Sequence, residues 1–118
     1  MIYNLENRTI EFSKMVIRFC KKIKPTNINS NIINQLIRSA TSVGANYREA
    51  NGASSKKDFH NKIYICKKEI QETKYWLELF KEAESNHEKE LSILWKESHE
   101  LTLIFGKISS SVNSKKSI

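Results

Sequence analysis

Residues 38–59, "RSATSVGANYREANGASSKKDF", stand apart in a chain otherwise crowded with Ile, Leu, Phe, Tyr, Trp and Lys. Ser39, Ala40, Ser42, Gly44, Ala45 and Ala50 are all small. Small side chains let a second helix approach closely. Gly44 costs about 1 kcal/mol relative to Ala inside a helix, so its presence there signals crowding from a neighbour. The stretch reads as the end of one helix, a turn near residue 53, and the start of a second helix that folds back on the first.

The same spacing extends outward in both directions. Leu5, Thr9, Phe12, Val16, Phe19 and Ile23 alternate by four and three, as do Ile33, Leu36, Ala40, Val43, Tyr47 and Ala50. Phe59, Ile63, Cys66, Ile70, Thr73, Leu77 and Phe80 form a third seam, and Leu91, Leu94, Ser98, Leu101, Phe105, Ile108 and Val112 a fourth. Four seams with a period of about 3.5 predict four helices packed at a shallow angle. Pro25 stops the first helix, because it lacks an amide proton and disfavours helix in the residue before it. Asn29 or Ser30 is suited to cap the second helix. Gly52 suits a left-handed C-cap. The pairs Ser55/Asp58 and Ser85/Glu88 have capping-box spacing. Helices are expected near 4–24, 30–51, 55–84 and 87–112. Short connections make consecutive helices antiparallel. The fold expected is all-α, an up-down-up-down four-helix bundle over residues 1–112, followed by a polar tail, 113–118.

Composition agrees. One domain is the expectation for 118 residues. Three Gly and one Pro offer too few turns for a sandwich, barrel or doubly wound sheet. Cys20 and Cys66 both fall in apolar periodic segments, which predicts reduced core thiols in a cytoplasmic protein. The N-terminal residues "MIYNLENRTIEF" lack a basic segment followed by an apolar one, so no signal peptide is expected. No apolar run is long enough to span a bilayer, and no membrane association is expected.

Reflecting helices two and three about residue 53 brings Arg38 toward Glu69 and Glu72, and Asn46 and Glu49 toward residues 57–62. These five residues are the expected structural polar network, with Arg38 paired to Glu69 or Glu72. Such pairs add little net stability but penalise wrong registers. A catalytic carboxylate cluster is the competing reading; no histidine or nucleophile falls beside it.

The formal charge is +7. It invites phosphate-bearing partners without bearing on the fold. The third connection, "KEAESNHEKE", is acidic and should lie beside "KKIK" at the end of helix one. The opposite end gathers lysine with little acid nearby. Candidate nucleic-acid-binding residues are Lys56, Lys57, Lys62, Lys67, Lys68, Lys107, Lys115 and Lys116. Lysine outnumbers arginine, which favours backbone contact over bidentate base readout. Tyr64, Tyr75 and Trp95 are of a type that stacks on bases, although aromatics at helical spacing are more often packing residues. Ile10, Ile17 and Cys20 on helix one, and Ile65, Trp76 and Leu79 on helix three, form second apolar faces. Doubled stripes suggest burial on two sides, as in an oligomer.

Several chemistries leave no trace. Paired Glu-x-x-His motifs of a di-iron bundle are not completed by His60, His87 and His99. No Walker loop, dinucleotide fingerprint or zinc-ligand spacing occurs. No metal, cofactor or catalytic residue is expected.

The segment "QLIRSATSVGANYREANGASSKKDFHNKIYICKKEIQETKYWLEL" resembles the four-helix bundle, or 23S rRNA intervening-sequence, proteins. The resemblance rests on Gln35, Leu36, Arg38 and Ser39, then Ser42, Asn46 and Glu49, then Ser55, Asp58 and Phe59, then Glu69, Glu72 and Leu77. It covers helices two and three by motif, and one and four by length and pattern. Where the family often has Ile-Ala-Glu-Gly, this chain has bulkier Tyr47 and Arg48. Members are encoded in insertions within bacterial ribosomal RNA genes or as free-standing genes, and no enzymatic activity is attached to them. They are similar to the accessory protein of diversity-generating retroelements, a homopentameric barrel with a basic surface that contacts nucleic acid and a reverse transcriptase. The resemblance implies a non-catalytic oligomer, a pentamer, that binds RNA or DNA. The alternative is an adaptor for an acidic protein partner such as a nucleic-acid enzyme.

Overall fold

The computed structural model describes residues 4–116, with side chains through Ser111. Four helices follow one another: α1 (Leu5–Lys21), α2 (Ser30–Asn51), α3 (Lys56–Ala83) and α4 (Glu88–Lys116). They form a rod of 50 × 22 × 20 Å. Each helix packs on its sequence neighbours, and α4 closes the square against α1 along a much shorter stretch. This is the expected antiparallel bundle, and among the described residues there is no strand.

The described residues of the four predicted seams meet on the bundle axis; the Val112 side chain lies outside the described residues. Phe12, Val16, Leu36, Val43, Ile63, Ile70, Phe80, Leu101 and Phe105 are at most 1% exposed. Burying a side chain of this size contributes about 1.5–3 kcal/mol, so the seams account for most of the driving force. Phe19 meets Phe80 edge-on at 5.2 Å between centroids, and Tyr47 meets Phe105 at 5.9 Å.

The small residues do what their size suggests. A Cβ on Gly44 would lie 3.4 Å from both Cβ and Oγ1 of Thr9, so α1 presses on α2 there. One turn before Gly44, Ala40 is fully buried and its carbonyl accepts from Ser13 Oγ of α1 at 3.3 Å, while Ser39, also fully buried, faces α3. Thr73 Oγ1 lies 2.9 Å from Ser39 Oγ, and Cys66 Sγ donates to the Val43 carbonyl at 3.5 Å.

The helix ends depart from expectation in places. Helix α1 stops at Lys21, because Lys24 precedes Pro25 and the chain is already turning at Lys22 and Ile23. Asn29 sits at the N-cap of α2 but bonds none of that helix's free amides. Instead its Oδ1 accepts from Thr26 N at 2.7 Å and its Nδ2 donates to Lys24 O at 3.1 Å. Thr26 Oγ1 in turn accepts from Asn29 N at 3.1 Å. Gly52 is not left-handed (φ −96°, ψ 12°), because the chain leaves α2 through a further right-handed turn closed by Ala53 N to Ala50 O at 3.1 Å. Ser55 caps α3 through Asp58 N at 3.0 Å. Ser85 makes no cap bond: it opens a single 3₁₀ turn, Ser85–His87, that runs straight into α4, and Glu84 takes the extended conformation in its place. Helix α4 continues to Lys116, beyond the expected end at 112.

Cys20 also departs from expectation. It belongs to the core (7% exposed) rather than to a second outer face, while Ile17 beside it is 39% exposed. Ile10, Ile65, Trp76 and Leu79 are half-buried on their own bundle. Both cysteines are free thiols.

Candidate nucleic-acid interface

The polar groups of the bundle sort into those that find a counter-charge and those that do not. Arg38 spans α2 and α3. Its Nη1 donates to Glu69 Oε1 at 3.0 Å, its Nη2 to Glu72 Oε2, and its Nε to Gln35 Oε1 at 2.9 Å. Trp76 Nε1 donates to the same Glu72 oxygen at 3.0 Å. That indole bond, with Arg38 behind it and against the opposing effect of partial burial, holds the Glu72 carboxyl below its ordinary value. Arg38 thus engages both predicted partners. Asn46 does not join them: its Nδ2 returns to Ser42 O and Oγ of its own helix, at 2.9 and 3.0 Å. Asparagine at a helix interior often finds such a local acceptor one turn back. Glu49 forms a separate contact, accepting from Lys62 Nζ at 2.6 Å. The expected five-residue network is therefore two independent α2–α3 links, with Asn46 outside both.

The remaining helix pairs are also clamped. Arg8 of α1 forks onto Glu97 of α4, with Nε to Oε2 at 3.0 Å and Nη2 to Oε1 at 2.8 Å. Lys22 pairs with Glu90 across the expected meeting of "KKIK" with the acidic connection. Lys81 lies 3.2 Å from Glu88.

A different pattern holds toward the α2–α3 turn. Lys56, Lys57 and Lys68 on α3 and Lys107 on α4 are exposed, and Lys67 is half-buried. None of these five pairs with a carboxylate among the described residues. The sequence explains this. Beyond Glu100, α4 carries no acidic residue, and the first half of α3 carries only Asp58 before Glu69. Eleven residues are about three turns of helix, so Lys56 and Lys67 share one edge of α3, and Lys57 and Lys68 share the next. The Lys56/Lys67 edge faces α4, because Lys74, one heptad beyond Lys67, reaches His99 Nδ1 at 2.9 Å. Antiparallel pairing from that contact sets Lys67 near Gly106, where a Cβ would meet nothing within 4 Å, with Lys107 beside it. Of the eight candidate lysines, five are thus without a carboxylate partner. Lys62 is turned to Glu49, and the side chains of Lys115 and Lys116 lie outside the described residues.

Sequence reasoning missed a mixed cluster farther along α3 and α4. Trp95 and His99 stack at 5.1 Å with planes 7° apart, Lys74 Nζ sits 4.9 Å from the Trp95 centroid, and Trp95 Nε1 donates to Glu78 at 3.0 Å. The i, i+4 spacing of Trp95 and His99 was the available signal. Among the described residues, no group of three or more His, Cys, Asp or Glu side chains is placed to hold a metal. No helix among them is long and apolar enough to cross a membrane.

The comparisons with known proteins converge on one family. Residues 3–107 match the family model described as 23S rRNA-intervening sequence protein. Among solved structures, the chain is similar to a crystal structure from Bacteroides thetaiotaomicron VPI-5482, described as a protein with unknown function from the S23 ribosomal protein family. The two share 32% sequence identity over 88% of this chain and 96% of that one, with a TM-score of 0.77. No curated protein matches. With the bundle, the Arg38 fork and a match over nearly its whole length, this chain belongs to the 23S rRNA-intervening sequence protein family.

Proposed function

We propose that the protein binds nucleic acid through the lysine group at the α2–α3 turn end, as an oligomer and without catalysing a reaction. The observation that carries this reading is the contrast in pairing. Elsewhere on the bundle about half of the cations meet a carboxylate, whereas none of Lys56, Lys57, Lys67, Lys68 and Lys107 does, and the stretches of α3 and α4 that carry them hold almost no acid. Phosphate contacts need cations at no strict spacing. The family name of the structural neighbour, S23 ribosomal protein, puts RNA first among candidate targets.

A ring of five copies is the assembly that the family resemblance implies. One feature supports assembly: an open groove of about 440 Å³ between α1 and α2, with Ile10, Thr41, Gly44 and Ala45 at its floor and Lys14, Arg48 and Glu49 at its rim. A ring would repeat the lysine group once per subunit and gain avidity.

The test is binding of a structured RNA and a duplex DNA across a salt series, with solution mass recorded on the same samples. If five lysines per subunit each neutralise one phosphate, log K falls against log salt with a slope near −3.5 on single strands and −4.5 on duplex, from about 0.7 and 0.9 per contact. Absence of binding at low salt removes this reading. Co-purification of an acidic protein would then favour the adaptor alternative, which draws on the same lysines.

A further inference from the structure

Two tyrosines of α3 stand largely outside the packed interior. Tyr64 is 58% exposed and Tyr75 54% exposed. Neither ring belongs to the core, although Tyr75 meets the half-buried Trp76 edge-on at 5.1 Å between centroids, and neither hydroxyl has a hydrogen-bond partner among the described residues. They are eleven residues apart, so they stand on the same outer edge of α3, about 16 Å from each other along the axis. Lys57 and Lys68 share that edge. Lys67 and Lys68 lie one turn from Tyr64, and Gln71 lies one turn from Tyr75. The order along the edge is cation, aromatic, cation, aromatic.

We propose that this edge of α3 is a track for single-stranded nucleic acid, with Tyr64 and Tyr75 stacking on unpaired bases while Lys67 and Lys68 hold the backbone between them and Lys57 holds it beyond Tyr64. The proposal rests on the nucleic-acid reading above and deepens it by naming the form of the ligand. Stacking needs a base whose face is free, which a duplex does not offer except at its ends. Every base has such a face, so tyrosines with flanking lysines bind single strands with little regard to sequence. A subunit interface is the competing use of two exposed tyrosines. It fits less well, because lysine is depleted at the centre of such interfaces and here three lysines surround the rings.

The experiment compares a short fluorescein-labelled oligouridine with an RNA duplex of equal length. It uses the wild-type chain, Tyr64→Ala, Tyr75→Ala, the double variant, and Tyr64→Phe with Tyr75→Phe. Both rings are solvent-facing, so the variants should keep the wild-type helical circular dichroism. The expected result is tighter binding of the single strand, about five-fold or more weakening at each alanine position, retained affinity with phenylalanine, and unchanged solution mass. Wild-type binding that the alanine variants leave unaltered would overturn the track while leaving the basic surface standing. A fall in solution mass in the alanine variants would overturn it in favour of a subunit interface. No binding of either probe at low salt would overturn the track together with the function it rests on.

Discussion

Removing Arg38 is the most informative single change. The guanidinium side chain is 46% exposed, whereas Glu69 is only 11% exposed and Glu72 32%. A fully exposed pair is worth about 0–1 kcal/mol, and breaking a fully buried one costs about 3–5 kcal/mol. Arg38→Ala leaves one nearly buried carboxylate without its donor, but opens a path for water from the arginine side. We expect a loss of about 1–2 kcal/mol. Unfolding entropy for a chain of 118 residues is about 0.25 kcal/mol/K, so the melting temperature should fall by about 4–8 °C. Urea titration should show a lower midpoint at unchanged m. The pH dependence gives a second reading. Trp76 and Arg38 hold the folded Glu72 carboxyl below its ordinary value, so the stabilisation is complete above that ordinary value and is lost as pH falls through and below it. The gap between wild type and Arg38→Ala should therefore narrow on acidification below about pH 4.3. Arg38→Met combined with Glu69→Leu should recover part of the loss, because it removes the more buried of the two carboxylates left without a donor, while Glu72 keeps its bond from Trp76. A stability of Arg38→Ala within about 0.3 kcal/mol of wild type would show that the fork is fully solvated and sets no register.

Two further changes test the packing. Gly44→Ala should lie within about 1 kcal/mol of wild type, since the gain in helix propensity is set against a 3.4 Å approach to Thr9. Gly44→Leu should cost about 1–3 kcal/mol by overpacking α1 against α2, and equal stability of the two variants in urea would refute the crowding account. Burial pushes the Cys20 thiol up to about 11 and Cys66 to about 12. At pH 8 an aromatic disulfide reagent should therefore label neither in the native protein and both in denaturant. Rapid native labelling would mean that the core opens far more readily than its packing suggests.

Much of this structure was legible in the sequence because two simple periodicities carry it. The seams alternate by three and four, so the core residues and the Arg38 reach to Glu69 and Glu72 follow from one reflection about the turn. The helix ends were less legible. Asn29, Gly52 and Ser85 each have the composition of a cap, but the path of the connecting chain decides whether a cap is needed, and that path is tertiary. Asn46 was placed by register alone, which ignores the nearer acceptors on Ser42. Lys62 could not be told from its neighbours in composition: facing Glu49 across α2–α3 is what removes it from the unpaired group. The Trp95–His99–Lys74 cluster joins two helices whose relative rotation no single-helix pattern specifies.

The bracing of the first connection has a consequence for how the chain avoids becoming entangled with its own copies. Helix α1 meets α4 along only a short stretch, so of the four helices it would be the easiest to lift away and exchange with a second molecule. Exchange requires the linker to straighten into a continuous helix or an extended arm. Here Asn29 is buried to 1% exposure, and its amide ties Thr26 and Lys24 into a closed corner. Pro25 within that corner cannot continue a helix. Straightening the linker would abandon those bonds and leave a polar amide to be rehydrated, so the corner acts as a lock on topology. The corner therefore favours a bundle completed by a single chain over one completed by exchange.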